Sequence, residues 1–325
     1  MSLYPLKFTP IVKEKIWGGQ KLKTVLHKDL GNLSNGGESW ELSSVPGDVS
    51  VVANGNLKGL ELNELLSRYK GNLMGDKVYA RYGNMFPLLI KFIDANDDLS
   101  VQVHPDDAMA KVRHNSFGKT EMWYVMAADR GAKLISGFSK IIDKSQYKPL
   151  LDQGKFLDVL AQHEVKPGDV LFMPAGRIHA IGKGVLVAEI QQTSDVTYRV
   201  YDYDRRDDAG NTRELHVEEA LDAIHFNDSD SGVVSYQNVA GEAVSLVNCP
   251  YFSTSVIGVD GVVNRNLQGT DSFHIYMGVE GACEITSDGN SVSVSMGETV
   301  LLPASLKQVF IKSTSPAKLL EVYVP

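Results

Sequence analysis

An internal repeat constrains this chain more than any other sequence feature. The segment GDVLFMPA at 168–175 recurs as GETVLLPA at 297–304, with the same glycine-to-proline spacing and an offset of 129 residues. Each copy leads to a strand pattern with an apolar–Glu–apolar core, around Glu189 and Glu321. Repetition at a fixed period indicates that one structural unit occurs twice. We therefore expect two copies of one β-fold in tandem.

Most of the remaining sequence has the pattern of short β-strands. Apolar runs are bounded by Gly, Pro, Asn and Asp, as in PLLIKFIDA at 87–95 and LSVQVH at 99–104. A few surface helices are predicted where apolar residues have helical spacing or where a helical insert interrupts the strands, at 57–70, 106–112, around 140–160 and at 214–226. Asp106 and Asp107 begin the second of these, where Asp is a favoured N-cap residue.

A polar segment divides the chain. NDSDSGVVSYQN at 227–238 is rich in Ser, Asp and Gly, as linkers are. We predict a first domain over residues 1–230, with N-terminal strands and the helical insert, and a second domain over residues 239–325. Each domain then contains one copy of the repeat.

Composition excludes several classes of partner. The 325 residues can bury a sizeable core, and a net charge of −8 without a long Lys/Arg run disfavours nucleic acid and anionic membranes. No apolar run reaches the ~18–20 residues that span a bilayer, and MSLYPLKFTP lacks the pattern of a secretory signal. Cys249 and Cys283 form no CxxC motif, which fits a reducing compartment. We predict a cytoplasmic protein, and any phosphate must be bound by a local basic cluster.

Four donors for one divalent metal come from three separate segments. Gln102 and His104 project to the same side of a predicted strand, because side chains alternate along it. Glu121 and His179 follow on other predicted strands. Nitrogen and oxygen donors suit a borderline or hard cation, and the absence of Cys disfavours a purely structural zinc site. A single carboxylate leaves positive charge at the centre, so the metal would act as a Lewis acid.

A Gln-x-His pair alone is more often a surface feature or part of a satisfied core. The convergence of other donors from separate strands distinguishes His104, whereas His114, His163, His216 and His225 receive no role. In the second copy of the repeat, Gln308 stands where the first has His179, and no Gln-x-His precedes it. The second domain is therefore expected to keep the scaffold and to lack metal ligands.

Two sets of motifs carry a family resemblance. Gly168, Pro174, Gly176 and His179 have the spacing of the second motif of the cupin superfamily, while the first motif departs from it with Gln102-Val-His104 in place of His-x-His. With LSVQVHPDD, KTEMWYV and YRVYDYDR, the chain resembles the type I phosphomannose isomerases, especially the shorter bacterial form. This resemblance implies a mostly β, tandem-cupin fold of jelly-roll (double-stranded β-helix) barrels, with the catalytic barrel first.

The resemblance also implies a reaction and its residues. One zinc ion per chain would be bound by Gln102, His104, Glu121 and His179, and the enzyme would interconvert mannose 6-phosphate and fructose 6-phosphate through an enediol(ate). The resemblance implies Arg199 and Lys119 as catalytic residues and Lys91, Ser100 and Arg205 as substrate-binding residues. We add Glu189 to the catalytic residues because it is expected to share a strand face with Arg199, and Glu38 of GESWE to the substrate-binding residues. Arg and Lys suit a phosphate dianion. Glu189, Glu38 and a metal-bound water all remain open as the proton shuttle.

Polar side chains occupy alternate positions from Glu189 to Arg205. If this segment is one straight strand, these residues share one face: Gln191, Thr193, Asp195, Thr197, Arg199, Tyr201, Tyr203 and Arg205. Periodicity alone fits a solvated outer face and a barrel lining equally well. The resemblance favours the lining, since Arg199 matches an active-site arginine and Arg205 falls where longer members carry a lysine.

Two other functions stay open. Another metal-dependent cupin enzyme is one, but an iron oxygenase more often uses a His-rich facial triad, and Gln102 argues against it. A non-catalytic sugar-phosphate sensor is the other, against which the intact ligand set and Arg199 speak. The partner in each case is a small molecule, and the chain is expected to be a monomer or a homodimer.

Overall fold

Antiparallel strands make up most of the protein in a computed structural model, which describes residues 3–206, 209–228 and 230–325. No helix within these ranges is long and apolar enough to cross a membrane. Short 3₁₀ helices lie at Gly55–Leu57, Lys144–Gln146 and Phe156–Val159. The α-helices are α1 (Lys21–Thr24), α2 (Leu62–Tyr69), α3 (Gly71–Met74), α4 (Asp76–Tyr82), α5 (Asp107–His114), α6 (Tyr147–Asp152) and α7 (Val217–Ala223).

Two facing sheets form the N-terminal barrel. One has the strand order β1-β2-β5-β12-β7-β10-β14 and the other β13-β6-β11-β8-β9, with β3 and β4 as a separate pair. The strands are β1 (Ile11–Gly19), β2 (Gly36–Leu42), β3 (Ser44–Val45), β4 (Asp48–Val49), β5 (Leu88–Ala95), β6 (Val101–Val103), β7 (Glu121–Ala128), β8 (Lys133–Phe138), β9 (Leu160–Glu164), β10 (Val170–Met173), β11 (His179–Ile181), β12 (Val185–Gln192), β13 (Tyr198–Tyr201) and β14 (Val233–Val234). Trp17, Ile93, Leu134 and Ile181 meet in its interior.

A smaller pair of sheets forms the C-terminal barrel. Their strand orders are β15-β16-β23-β18-β21 and β17-β22-β19-β20. The strands are β15 (Ala243–Asn248), β16 (Ser253–Val259), β17 (Val262–Asn266), β18 (His274–Glu280), β19 (Ala282–Ser287), β20 (Asn290–Ser295), β21 (Thr299–Leu302), β22 (Gln308–Lys312) and β23 (Ala317–Tyr323). The two copies of the repeat form β10 and β21, which confirms the predicted tandem β-fold.

Burial on both faces explains the continuous apolar pattern of β5. Ile93 points into the N-terminal barrel, whereas Ile90 and Phe92 belong to a core shared with the C-terminal barrel. Phe86 and Phe273 pack across the same junction with ring centroids 4.5 Å apart. Because the largest sheets of the two barrels meet face to face, neither barrel exposes that face to water.

The polar segment after Glu189 is not one straight strand. It divides into β12 in one sheet and β13 in the opposite sheet, and residues 193–197 cross between them. Glu189 and Arg199 therefore lie on opposing walls of the barrel rather than on one strand face. The expectation of a shared face is wrong, although both residues still line the interior.

Local predictions are confirmed with different bounds. Helices α2 and α7 lie within 57–70 and 214–226, whereas α5 extends two residues beyond the predicted 106–112. The side chain of Asp106 caps α5 by accepting from the amide of Met109. The predicted linker is partly ordered against the first barrel, because β14 pairs with β10. The domain division at 230 and 239 stays a prediction.

Candidate metal centre and active-site cleft

Three of the predicted metal donors meet inside the N-terminal barrel. His104 follows β6, Glu121 begins β7 and His179 begins β11, and one potential ligand atom from each lies within 4.8 Å of the others. The Nε2 atoms of His104 and His179 lie 3.5 and 3.4 Å from the two carboxylate oxygens of Glu121. All three side chains are buried. Residues separated by 75 positions in sequence thus form one donor cluster.

The hydrogen bonds around this cluster leave its lone pairs free. Nδ1 of His104 lies 2.9 Å from the carbonyl of Val196, and Nδ1 of His179 lies 2.9 Å from the carbonyl of Arg177. A carbonyl accepts only from Nδ1–H, so each Nε2 carries a lone pair directed at the cluster. Within the described residues, Nε2 of His104 and Oε1 of Glu121 have no hydrogen-bond partner, while Oε2 of Glu121 lies 3.0 Å from Nζ of Lys119. Buried polar atoms are normally paired, so this set fits a divalent cation.

Gln102 completes the predicted set of four. It lies opposite His179 in the β6–β11 pairing, and its side-chain amide is 3.4 Å from Nε2 of His179. Rotating the amide by 180° exchanges its oxygen and nitrogen, which places an oxygen donor at the same point. The structure therefore brings all four predicted donors together.

Burial keeps both imidazoles neutral. Desolvation lowers the pKa of His179 to about 4 and that of His104 well below its usual value, with the positive charge of Lys119 acting in the same direction. Burial and the nearby Glu189 raise the pKa of Glu121 to about 7. A neutral imidazole is the form that binds a metal, so the histidines need no deprotonation at neutral pH.

A cleft of about 300 Å³ lies beside this centre. Gln102 and Lys119 belong to both, and Nζ of Lys119 is 3.0 Å from a carboxylate oxygen of Glu121. Trp17, Trp40, Ile93, Leu99 and Ile181 provide apolar walls. The polar lining consists of Lys15, Glu38, Lys91, Ser100, Gln102, Lys119, Glu189, Asp195, Thr197, Arg199 and Arg213.

Acidic and basic side chains alternate along one wall. Lys91 lies 3.2 Å from Glu189 and 3.9 Å from Glu38, and it is aligned with Glu189 in the β5–β12 pairing. Indole N–H groups donate to both carboxylates, Trp123 to Glu189 and Trp40 to Glu38. Burial opposes ionisation, but the nearby lysines outweigh it, holding the pKa of Glu38 at about 2 and lowering that of Glu189. Both glutamates are anions at neutral pH.

Arginines occupy the opposite wall. Arg199 and Arg213 line the cleft, and Arg213 forms two hydrogen bonds to Asp202. Arg205 is not part of the lining: it bonds to Asp202 and to the carbonyl of Asp98. The unassigned His216 accepts a hydrogen bond from the amide of Arg199. This cluster carries more positive than negative charge and suits an anionic group.

The sequence thus identified most of the cleft but missed part of it. Six of the predicted catalytic and substrate-binding residues line the cleft: Glu38, Lys91, Ser100, Lys119, Glu189 and Arg199. Arg205 does not line it. Lys15, Trp17, Trp40 and Arg213 were missed. Glycine pairs stand close to both tryptophans in the sequence, a pattern that by itself indicates tight turns, and nothing in NTRELHV marks Arg213.

Comparisons with known proteins agree with this geometry. Residues 5–129 match the family model for the phosphomannose isomerase type I catalytic domain, and residues 242–324 match that for the mannose-6-phosphate isomerase cupin domain. The chain is 37% identical over 304 residues to a mannose-6-phosphate isomerase of Streptococcus mutans, covering 93% of each protein.

Solved structures give the same result. The crystal structure of the mannose 6-phosphate isomerase from Bacillus subtilis matches with a TM-score of 0.88 and 33% identity, covering 98% of this chain and 99% of that one. A zinc-bound mannose 6-phosphate isomerase matches with a TM-score of 0.80 at 15% identity, covering 99% and 100% of the two chains, which shows the fold alone. The tandem-cupin prediction is confirmed, and the chain belongs to the type I phosphomannose isomerase family.

Proposed function

We propose that this protein is a zinc-dependent aldose–ketose isomerase that interconverts mannose 6-phosphate and fructose 6-phosphate. The observation that carries the proposal is a buried donor set with unpaired lone pairs, beside a cleft that has a cationic wall. The cationic wall suits the phosphate dianion of the substrate, and a metal ion held by the donor set suits the sugar carbonyl. One zinc ion per chain is proposed, bound by Gln102, His104, Glu121 and His179.

The cationic wall binds the phosphate in this proposal. Arg199 and Arg213 line the cleft, and Nε of Arg213 donates a hydrogen bond to the carboxylate of Asp202, which fixes the position of its side chain. Guanidinium groups pair with phosphate oxygens in a bidentate manner. We assign the phosphate to Arg199 and Arg213, while Arg205 supports them through the shared carboxylate of Asp202.

Residues on the opposite wall of the cleft transfer the proton between C2 and C1 of the sugar in this proposal, and the reaction passes through an enediol(ate). When bound, zinc supplies Lewis-acid polarisation of the substrate carbonyl. We assign the proton transfer to Glu189, because its carboxylate lines the cleft with Oε2 held by Trp123 and Oε1 3.2 Å from Nζ of Lys91. Lys91 keeps this carboxylate ionised, as a general base requires. Lys119 adds positive charge beside the metal centre.

The decisive experiment is a turnover assay with mannose 6-phosphate. The purified protein is measured as isolated, after treatment with a chelator, and after zinc is restored. We expect fructose 6-phosphate to form, activity to disappear with the chelator, and zinc to restore it. Binding of the sugar phosphate by the zinc-loaded protein without turnover would instead identify a sensor, and turnover of a different sugar phosphate would identify another isomerase.

We also propose that the protein works in the cytoplasm. Cys249 and Cys283 are both free thiols, which fits a reducing compartment. Whether it is a monomer or a homodimer stays a prediction of the sequence analysis.

A further inference from the structure

The segment that carries Lys119 is held by three consecutive hydrogen bonds. The amide of Gly118 donates to Oδ1 of Asp107 at 2.9 Å, and that of Lys119 donates to the carbonyl of Pro105 at 3.1 Å. The amide of Thr120 donates to Oε1 of Gln192 at 2.9 Å. Strand β7 begins at the next residue, Glu121, so these bonds fix the approach of both Lys119 and a metal donor.

The two side-chain acceptors are tied to each other and to the C-terminal barrel. Nε2 of Gln192 donates to Oδ1 of Asp107 at 3.0 Å. The hydroxyl of Tyr251, in the turn between β15 and β16, donates to the other oxygen of Asp107 at 2.8 Å. Asp107 therefore accepts from Gly118, Gln192 and Tyr251 together. Gln192 is buried, whereas Tyr251 reaches in from the second domain.

We propose that Tyr251, Asp107 and Gln192 form a positioning relay through which the C-terminal barrel holds Lys119 and Glu121 in their working places. Their side-chain hydrogen bonds go to residues other than the metal donors, and the lining of the active-site cleft includes none of the three. Asp107 and Gln192 accept from the backbone amides of Gly118 and Thr120, and Tyr251 acts on them through Asp107. The relay gives the second barrel a part in the reaction, although the described residues of that barrel contain no cluster of metal donors.

Tyr251→Phe tests the relay, because it removes one hydroxyl and keeps the ring. Tyr236→Phe is the matched control: Tyr236 is also half-buried, and its hydroxyl donates to the carbonyl of Gly168 at 2.7 Å, away from the relay. For Tyr251→Phe we expect kcat for mannose 6-phosphate to fall about fivefold, equivalent to about 1 kcal/mol for one lost hydrogen bond, with KM unchanged. We expect the variant also to lose zinc to a competing chelator faster than Tyr236→Phe does.

Substitutions at Asp107 give an independent check. Asp107→Asn keeps one oxygen for Gly118 and Gln192, and its amide donates to the Tyr251 hydroxyl, so kcat and zinc retention should stay near the wild-type values. Asp107→Ala removes all three contacts and should lower both more than Tyr251→Phe does. Equal Tm losses for Tyr251→Phe and Tyr236→Phe, with kcat and zinc retention unchanged in both, would overturn the relay. The inference rests on the proposed function, but zinc retention tests it even if the wild-type protein fails to turn over mannose 6-phosphate.

Discussion

The two barrels place a glutamate at the same position and surround it differently. Glu189 faces Trp123 across β12 and β7, and Glu321 faces Tyr276 across β23 and β18; each accepts a hydrogen bond from the aromatic residue it faces. In the C-terminal barrel, Arg265 then binds both oxygens of Glu321, at 3.1 and 2.6 Å. In the N-terminal barrel, Oε1 of Glu189 lies 3.2 Å from Nζ of Lys91, which is also 3.9 Å from Glu38, so Glu189 shares its cation with a second carboxylate and has no bidentate partner.

The same contrast holds at the metal centre. Glu121 lies opposite Met173 in β10, and His274 lies opposite Leu302 in β21, the position 129 residues later. His274 therefore stands where the first barrel has its carboxylate donor, but no comparable donor cluster surrounds it in the described residues. An unpaired buried polar group costs about 1–3 kcal/mol. The comparison teaches that one scaffold can leave buried atoms such as Nε2 of His104 and Oε1 of Glu121 unpaired for a ligand, or can close the corresponding site with a bidentate internal ion pair.

Removing a proposed metal donor should cause the largest loss of turnover among the variants that test this comparison. His104→Ala deletes one of the three clustered donors, so we expect turnover to fall at least about 10³-fold and bound zinc to be lost. Steady-state kinetics and zinc analysis of the purified variant measure both. Retention of zinc and turnover would show that the first barrel does not depend on its unpaired donors.

Breaking the ion pair of the second barrel should affect stability and leave the chemistry intact. Arg265→Met leaves Glu321 buried with only Tyr276 as a partner. We expect the free energy of unfolding to fall by about 2–3 kcal/mol, less than for a fully buried pair because the side chain of Arg265 is 28% exposed. Denaturant unfolding measures this, with Lys318→Met in the exposed Lys318–Glu280 pair as a control that should cost under about 1 kcal/mol. A loss of kcat in folded protein would contradict the separation of roles.

Acid should destabilise the second barrel through His274. Burial lowers the pKa of His274 to about 4, against about 6.5 in an unfolded chain. The unfolded state thus binds more protons between these values, so this contribution is fully present above pH 6.5 and is lost as the pH falls towards 4. We expect a loss of about 2 kcal/mol at pH 5 relative to pH 7, and His274→Gln should abolish that part of the dependence. The prediction would be contradicted if the free energy of unfolding changed by the same amount between pH 7 and pH 5 in the wild-type protein and in His274→Gln.

The smallest effect is expected at Gln308. Its side chain is exposed, so Gln308→Ala should change the free energy of unfolding by less than about 0.5 kcal/mol and leave turnover unchanged. Denaturant unfolding and the isomerase assay check this. A large catalytic loss would assign a function to the outer face of β22.

The repeat and the strand alternation predicted part of the scaffold and part of the donor cluster, and the family resemblance implied the rest. The shared motif predicted both barrels, and alternation placed Gln102 and His104 on one face. Gln308 shows the limit of assigning residues by their offset in the repeat. Gln308 lies 129 residues after His179, yet it faces outward while its neighbour Val309 is buried, because a shift of one residue reverses the face of every side chain in a strand.

Long-range geometry accounts for the other differences. Alternating polar residues continue without interruption from Glu189 to Arg199, so the sequence does not reveal that the chain changes sheets between them. Arg213 joins the cationic wall because Asp202 binds its side chain across 11 positions, and no local pattern marks such a contact. The role of Asp107 was predicted only from helix chemistry, which is silent about Gln192 and Tyr251.

The crossover at 193–197 has a consequence for how this enzyme can change. Asp195 and Thr197 line the cleft, and between them the carbonyl of Val196 holds the imidazole of His104. The same five residues connect the wall of Glu189 to the wall of Arg199. An insertion here that widened the cleft for a longer sugar would also withdraw the carbonyl that orients His104, one of the proposed metal ligands. A change in this segment that alters the accepted length of the substrate is therefore expected to alter metal affinity as well. Changing only one of the two properties requires substitutions elsewhere in the barrel.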